Sequence, residues 1–321
     1  MSRKLRTHFP VSASLVCLLL LLNFGLVRAQ DTPQPDPGGR LRVQTDLVTL
    51  TLTVTDIYGR YVSGLGQNAF TIIDENEEQE ITFFSDSDAP VSIGIVFDIS
   101  DSMSGEKISK ARKALERFLN TSHPMDEYFL IAFNSRAQLL LDKSRDADAV
   151  LRKLTLVDPK SNTALYDACY LGIERVSRGT HQKKALLIIS DGQDNASRYN
   201  FNEVRRLMRE SDVVTYAVGI MDIQDARSIE GMRGQAFLDS LTSITGGKAF
   251  YPRNDVELDE IFERIALELR NQYSVGYTPR NFEPNGKWRR VRVRVNPPRG
   301  LPRLTVRNRE GYYATPSIGL P

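Results

Sequence analysis

Five side chains carry oxygen donors at positions from which they could share one cation. Asp98, Ser100 and Ser102 alternate in the stretch Asp-Ile-Ser-Asp-Ser, Thr163 stands in Ser-Asn-Thr-Ala-Leu-Tyr-Asp-Ala, and Asp191 precedes Gly192. An all-oxygen set suits a hard cation. Two carboxylates with three neutral hydroxyls suit Mg²⁺ and its retained waters better than a carboxylate-crowded Ca²⁺ cage, although Mn²⁺ or Ca²⁺ could use the same donors. The two carboxylates cancel the charge of a divalent ion and the hydroxyls add none, so the ion would still attract a carboxylate from another molecule. Taken singly, each piece has a plainer reading. Asp-x-Ser-x-Ser can be a turn that caps a helix, and Asp191-Gly192 an ordinary turn.

The elements around these residues give them a common address. Residues 91–97 and 185–190 are nearly continuous apolar runs, read as strands buried on both faces, and Asp98 and Asp191 close them. Further strands are expected over 128–133, 213–218 and 248–251, with a short edge strand over 137–141. Helices are expected over 107–119, 146–154, 164–176, 202–210, 235–245 and 256–269. This alternation predicts an α/β fold with a doubly wound, mostly parallel sheet covered by helices on both faces. Parallel strands present their carboxyl ends at one edge, so the loops carrying Asp98, Thr163 and Asp191 converge there.

The flanks are of β texture. Residues 47–55 alternate apolar residues with threonine, 68–74 and 80–85 are further short strands, and 75–78 reads as an acidic turn. After residue 270, strands are expected over 272–278, 288–295 and 304–306, with a last one near Gly311-Tyr312-Tyr313. Neither flank can close a core alone. The simplest arrangement pairs 41–88 with 271–315 in one β-sandwich, the α/β domain of 89–270 being inserted between them; two separate small β modules are the alternative. Arg290, Arg292 and Arg294 alternate with valines, which reads as a solvated strand face, with binding of anionic glycans or lipids the lesser reading.

On these residues, 91–269 resembles a von Willebrand factor type A domain with its metal-ion-dependent adhesion site. The resemblance implies a six-stranded sheet wrapped by helices, and a divalent ion held directly or through water by Asp98, Ser100, Ser102, Thr163 and Asp191. Two departures matter. Asp101 stands where the family often has glycine and adds negative charge beside the ligands. Ser104-Gly105-Glu106 lacks the acidic pair that supports an adjacent second metal in integrin β chains, so no second site is expected. Asp194 and Asn195 could shape a partner surface, an Asx-rich turn being the plainer reading. The flanking motifs Val54-x-Asp56-x-x-Gly59, Phe70-x-Ile72, Gln79-x-Ile81-x-x-Phe84, Tyr277-x-Pro279, Arg290-x-Arg292-Val293 and Arg309-x-Gly311-Tyr312 resemble a bacterial group of exported proteins related to this domain.

Composition bounds the remaining choices. Arg3, Lys4 and Arg6 precede a leucine-rich core at 14–27, and Val27-Arg28-Ala29 offers a cleavage triplet, so 1–29 reads as a secretory signal, or else as a retained anchor. The formal charge of +2 comes from 42 basic and 40 acidic residues; without Arg3, Lys4, Arg6 and Arg28 the balance is −2, which is no argument for nucleic acid. Cys17 lies in that segment, and Cys169 alone cannot form an internal disulfide, so the fold must rest on its core. A Pro- and Gly-rich tether is expected over 30–40 and a short tail over 316–321. His8 belongs to the signal, His123 and His181 fall in connecting segments, and no phosphate loop, nucleophile elbow or HExxH motif is present.

These readings point to an exported, periplasmic or surface-associated, non-enzymatic module for protein interaction or adhesion. A partner's Asp or Glu would complete the coordination of Mg²⁺, with membrane contact only through a retained signal segment. The alternatives are a metal-dependent hydrolase, which would need a general base beyond the ligand aspartates, and a structural cell-envelope protein.

Overall fold

The computed structural model describes residues 47–156, 162–298, 300 and 302–315. The expected signal, tether and tail, and residues 41–46 of the first β segment, lie outside the described residues.

The chain opens with β1 (Val48–Thr55), β2 (Phe70–Asp74), β3 (Glu77–Gln79) and β4 (Ile81–Ser85). The α/β part follows: β5 (Val91–Asp98), α1 (Glu106–Thr121), β6 (Glu127–Phe133), β7 (Ala137–Ser144), α2 (Ala147–Thr155), α3 (Leu165–Ser177), β8 (Lys183–Ser190), α4 (Phe201–Glu210), β9 (Val214–Gly219), α5 (Ile223–Arg227), α6 (Ile229–Thr245), β10 (Lys248–Phe250) and α7 (Asp255–Arg270). It closes with β11 (Tyr273–Tyr277), β12 (Trp288–Val295), β13 (Thr305–Arg307) and β14 (Gly311–Tyr313).

The central sheet has six strands in the order β10-β9-β8-β5-β6-β7, all parallel except β7, which runs antiparallel on β6. Every residue of β5, β6 and β9 is buried, because helices cover both faces. Alternate residues of β5 feed different cores. Ile93, Ile95 and Phe97 pack with Leu115 and Phe118 of α1 and Phe262 and Ile265 of α7, while Val96 joins Cys169 and Ile173 of α3 and Leu241 of α6. Burial raises the Cys169 thiol far above its ordinary range, which leaves it a packing residue.

The flanking strands pair across the insertion. Two four-stranded sheets, β13-β1-β11-β4 and β14-β12-β2-β3, each draw strands from both ends of the chain. They enclose one core that includes Leu50, Leu52, Ile72, Tyr273, Val275, Tyr277 and Val291. In β1 the alternation breaks at Thr53, buried although it points away from this core, because its hydroxyl donates to Glu268 of α7 at 2.9 Å. Lys183, 5% exposed at the start of β8, donates to the carbonyls of Ser87 and Gln272, and so ties together the two crossings between sandwich and α/β part. Arg290, Arg292 and Arg294 of β12 are exposed while Val291 and Val293 are buried, as expected of a solvated strand face.

Three elements depart from the sequence reading. The acidic stretch 75–78, expected as a turn throughout, turns only at its start: Glu75 takes φ 58°, and Glu77 and Glu78 already pair with β2. α5 was not expected. α6 begins at Ile229, six residues before the expected start, and Gly231 and Gly234 near its start are close-approach positions. A Cβ on Gly231 would lie 1.9 Å from the Asp225 carbonyl oxygen.

Candidate metal site

β5 and β8 are neighbours, and β6 lies on the other side of β5, so the chain switches direction around β5. The loops leaving the carboxyl ends of β5 and β8 therefore meet over one crevice, where doubly wound sheets place ligands. Asp98 is the last residue of β5, and Asp191 follows the last residue of β8. Thr163 lies just ahead of α3 and is stitched to both neighbouring loops. Its N–H donates to Asn195 Oδ1 at 2.8 Å, and its carbonyl accepts from the N–H groups of Asn195 and Ala196. The next residue, Ala164, donates to the Asn134 carbonyl, while the Ile99 N–H donates to that of Phe133. The segments carrying Asp98, Thr163 and Asp191 are thus joined through backbone and amide contacts.

Four of the five side chains of the set are withdrawn from solvent, and Ser102 is half-buried. Asp98 is 0% exposed, Ser100 1%, Asp191 2% and Thr163 4%. Asp98 Oδ1 accepts from the Ser100 N–H at 2.9 Å and Oδ2 from the Ser190 hydroxyl at 2.6 Å. The Ser100 and Ser102 hydroxyls lie 3.0 Å apart. Asp191 accepts from the N–H and the side-chain amide of Gln193. Burial pushes the Asp98 carboxyl up to about 7, with the nearby Asp191 carboxylate adding to the rise and the hydrogen bonds from Ser100 and Ser190 opposing it.

Neither aspartate takes part in an ion pair among the described residues, whereas buried carboxylates are ordinarily paired with a cation or bound to a metal. Two buried carboxylates close enough to repel, beside clustered hydroxyls, fit a hard divalent cation in chemistry and charge. Among the described residues no group of three or more His, Cys, Asp or Glu side chains is placed to hold a metal. A cation at these loops would therefore depend on hydroxyls and water for its remaining ligands.

Asp101 is exposed on the short turn after Ser100. Asp194 and Asn195 are engaged inward. Asp194 accepts from the Ser197 hydroxyl and the Tyr166 N–H at the start of α3, with burial raising its carboxyl, and Asn195 holds Thr163. Both brace one loop against another.

Sequence reading passed over two contributors. Ser190 bridges Asp98 to the Asp191 loop, since its oxygen also accepts from the Gly192 N–H at 3.0 Å. A hydroxyl one residue before Asp191, at the end of an otherwise aliphatic strand, was the available signal. The second is the contact of Gly192 with Gly234: Gly192 has φ 84°, and a Cβ there would lie 2.7 Å from the Gly234 carbonyl oxygen. Two glycines let the Asp191 loop lie directly on α6.

The family model of the von Willebrand factor type A domain matches residues 93–193, a span that contains all five candidate ligands. The chain is 21% identical over 204 residues to human inter-alpha-trypsin inhibitor heavy chain H4, a match covering 59% of this chain and 21% of that protein. It is 22% identical over 186 residues to an uncharacterized protein of Synechocystis, covering 57% of this chain and 42% of that one. The chain thus spans less than half the length of either relative. Among solved structures, a von Willebrand factor type A protein from Catenulispora acidiphila aligns with TM-score 0.48 and 12% identity, over 83% of this chain and 74% of that one. Among the described residues no helix is long and apolar enough to cross a membrane. The family match and the helix-covered, mostly parallel sheet lead to one statement: the α/β part of this chain has the fold of a von Willebrand factor type A domain.

Proposed function

We propose that this chain is an exported protein-interaction module whose binding depends on a divalent cation, Mg²⁺ or in its place Mn²⁺ or Ca²⁺, held at the loops after β5 and β8 and before α3. The observation that carries the reading is the pair of buried aspartates, Asp98 and Asp191, neither of which enters an ion pair among the described residues. Asp98, Ser100, Ser102, Thr163 and Asp191 would hold the ion. When bound, the ion supplies a Lewis-acidic position that a carboxylate of a partner protein can occupy. Ser190 holds the Asp98 carboxylate in place, Asn195 holds Thr163, and the Gly192–Gly234 contact fixes the Asp191 loop. Asp101, exposed at the rim, disfavours a partner that brings a second acid beside the first. The family match supports binding rather than catalysis as the role of this fold here.

Calorimetric titration of the full-length chain with Mg²⁺, Mn²⁺ and Ca²⁺, repeated on Asp98→Ala, tests the metal. Uptake of one ion per chain in the wild type and none in the variant is expected; no uptake by the wild type overturns the reading. Recovery of the same envelope protein in Mg²⁺ but not in EDTA tests the interaction.

A further inference from the structure

A second recess lies at the opposite end of the sheet, where β10 begins and α7 ends. The turn after β1, the strand β10, the outer side of α7 and β13 enclose a cleft of about 810 Å³. Four basic side chains line it: Arg60, Lys248, Arg264 and Arg307. Their partners are unevenly shared. Arg60 is spent on Asp56 and Arg307 on Glu268, and the lining acid Glu263 is drawn to Arg117 of α1. Among the described residues, Lys248 and Arg264 enter no ion pair, with Glu260 as the lining acid left over.

The cleft is also furnished with apolar surface. Tyr58, 74% exposed, and Leu267, 46% exposed, both line it. The Lys248 ammonium sits 5.1 Å from the centre of the Phe250 ring, and the Arg60 guanidinium 5.2 Å from that of Tyr58. A Lys–Arg pair outside any ion pair receives oxyanions, and an exposed aromatic ring beside cations receives the apolar face of a ring-shaped ligand.

We infer that this cleft binds an oxyanion carried on a ring with an apolar face, the chemistry of a uronate unit in an acidic glycan: Lys248 and Arg264 take the carboxylate, and Tyr58 and Leu267 take the ring. The state of Lys248 agrees with this. Burial first, and then the neighbouring Arg307 and Arg264 guanidiniums, lower its pKa against the smaller opposing pull of Glu268, so an incoming anion relieves a net repulsion. The site needs no metal and shares no residue with the loops that carry Asp98.

Titration of the full-length chain with trigalacturonate in EDTA tests the assignment, with trigalactose, inorganic sulfate and a tri-glutamate peptide as comparison ligands. Trigalacturonate should bind, and Lys248→Met with Arg264→Gln should weaken it at least about tenfold. Tyr58→Ala should weaken trigalacturonate while leaving the thermal midpoint unchanged, and Asp98→Ala should leave its binding intact. All three substituted cleft residues are exposed, so folding is not at issue. Undiminished binding in the double variant overturns the site. Sulfate binding as tightly as trigalacturonate removes the ring from the proposal, and tighter binding of tri-glutamate replaces the glycan with an acidic peptide.

Discussion

Asp98 and Glu268 are buried almost equally, at 0% and 1% exposure, toward opposite ends of one domain. Glu268 accepts from the hydroxyls of Thr53, Tyr61 and Tyr216 at 2.9, 2.9 and 2.7 Å and from the Arg307 guanidinium at 2.5 Å. Its charge is balanced inside the molecule by groups from one sheet of the sandwich, from the segment after β1 and from the α/β core, so it fastens α7 to the sandwich. Asp98 has one N–H, one hydroxyl and a neighbouring carboxylate, and enters no ion pair among the described residues. The contrast separates a carboxylate paired within the fold from one that meets no cation among the described residues. The second kind is where binding is to be sought.

The comparison breaks most readily at Glu268. Glu268→Ala leaves Arg307 and three buried or half-buried hydroxyls without their acceptor, and should cost roughly 3–5 kcal/mol in urea unfolding. A loss below about 1 kcal/mol would show that the hub is not closed in the way described.

Asp98→Asn should act in the other direction. In EDTA it removes a buried charge that enters no ion pair among the described residues and should stabilise the protein by on the order of 2 kcal/mol, while abolishing any rise of the thermal midpoint on adding Mg²⁺. A variant that is destabilised in EDTA and still responds to Mg²⁺ would falsify the assignment of Asp98.

The pH dependence sharpens the same point. The folded-state value of Asp98, about 7, lies above that of an unfolded aspartate near 4, so the folded metal-free protein binds the extra proton. Stability from this group is therefore fully present below about pH 4 and is lost as pH rises toward 7. Melting curves in EDTA should show this fall in the wild type and a flatter profile in Asp98→Asn. The smallest effect is expected for Ser190→Ala, which deletes one donor to Asp98 and should cost about 1 kcal/mol while weakening Mg²⁺ uptake severalfold. Equal uptake in wild type and variant would reduce Ser190 to a packing residue.

Much of this was legible in the chain. The apolar run at 91–97 closing on Asp98, and that at 185–190 closing on Asp191, announced two buried parallel strands, because helices on both sheet faces leave no polar face to alternate. The Thr-rich alternation of 48–55 announced a half-buried strand. Local chemistry carried these readings: strand period, helix period and the residue types at strand ends are all written within a few positions.

What only the tertiary structure decided lies in pairs far apart in sequence. Ser190 meets Asp98 across 92 positions, and Thr53 meets Glu268 across 215. Gly231 and Gly234 near the start of α6 are accounted for only by what lies against them, the Asp225 carbonyl and Gly192. A side chain's type fixes which bonds it can make. Which partner arrives depends on the crossing of β5 and β8 and on the return of the chain through α7 to the sandwich. The sequence by itself determined the elements and the donors; whether a buried charge is met by an arginine or left open was settled by how those elements pack.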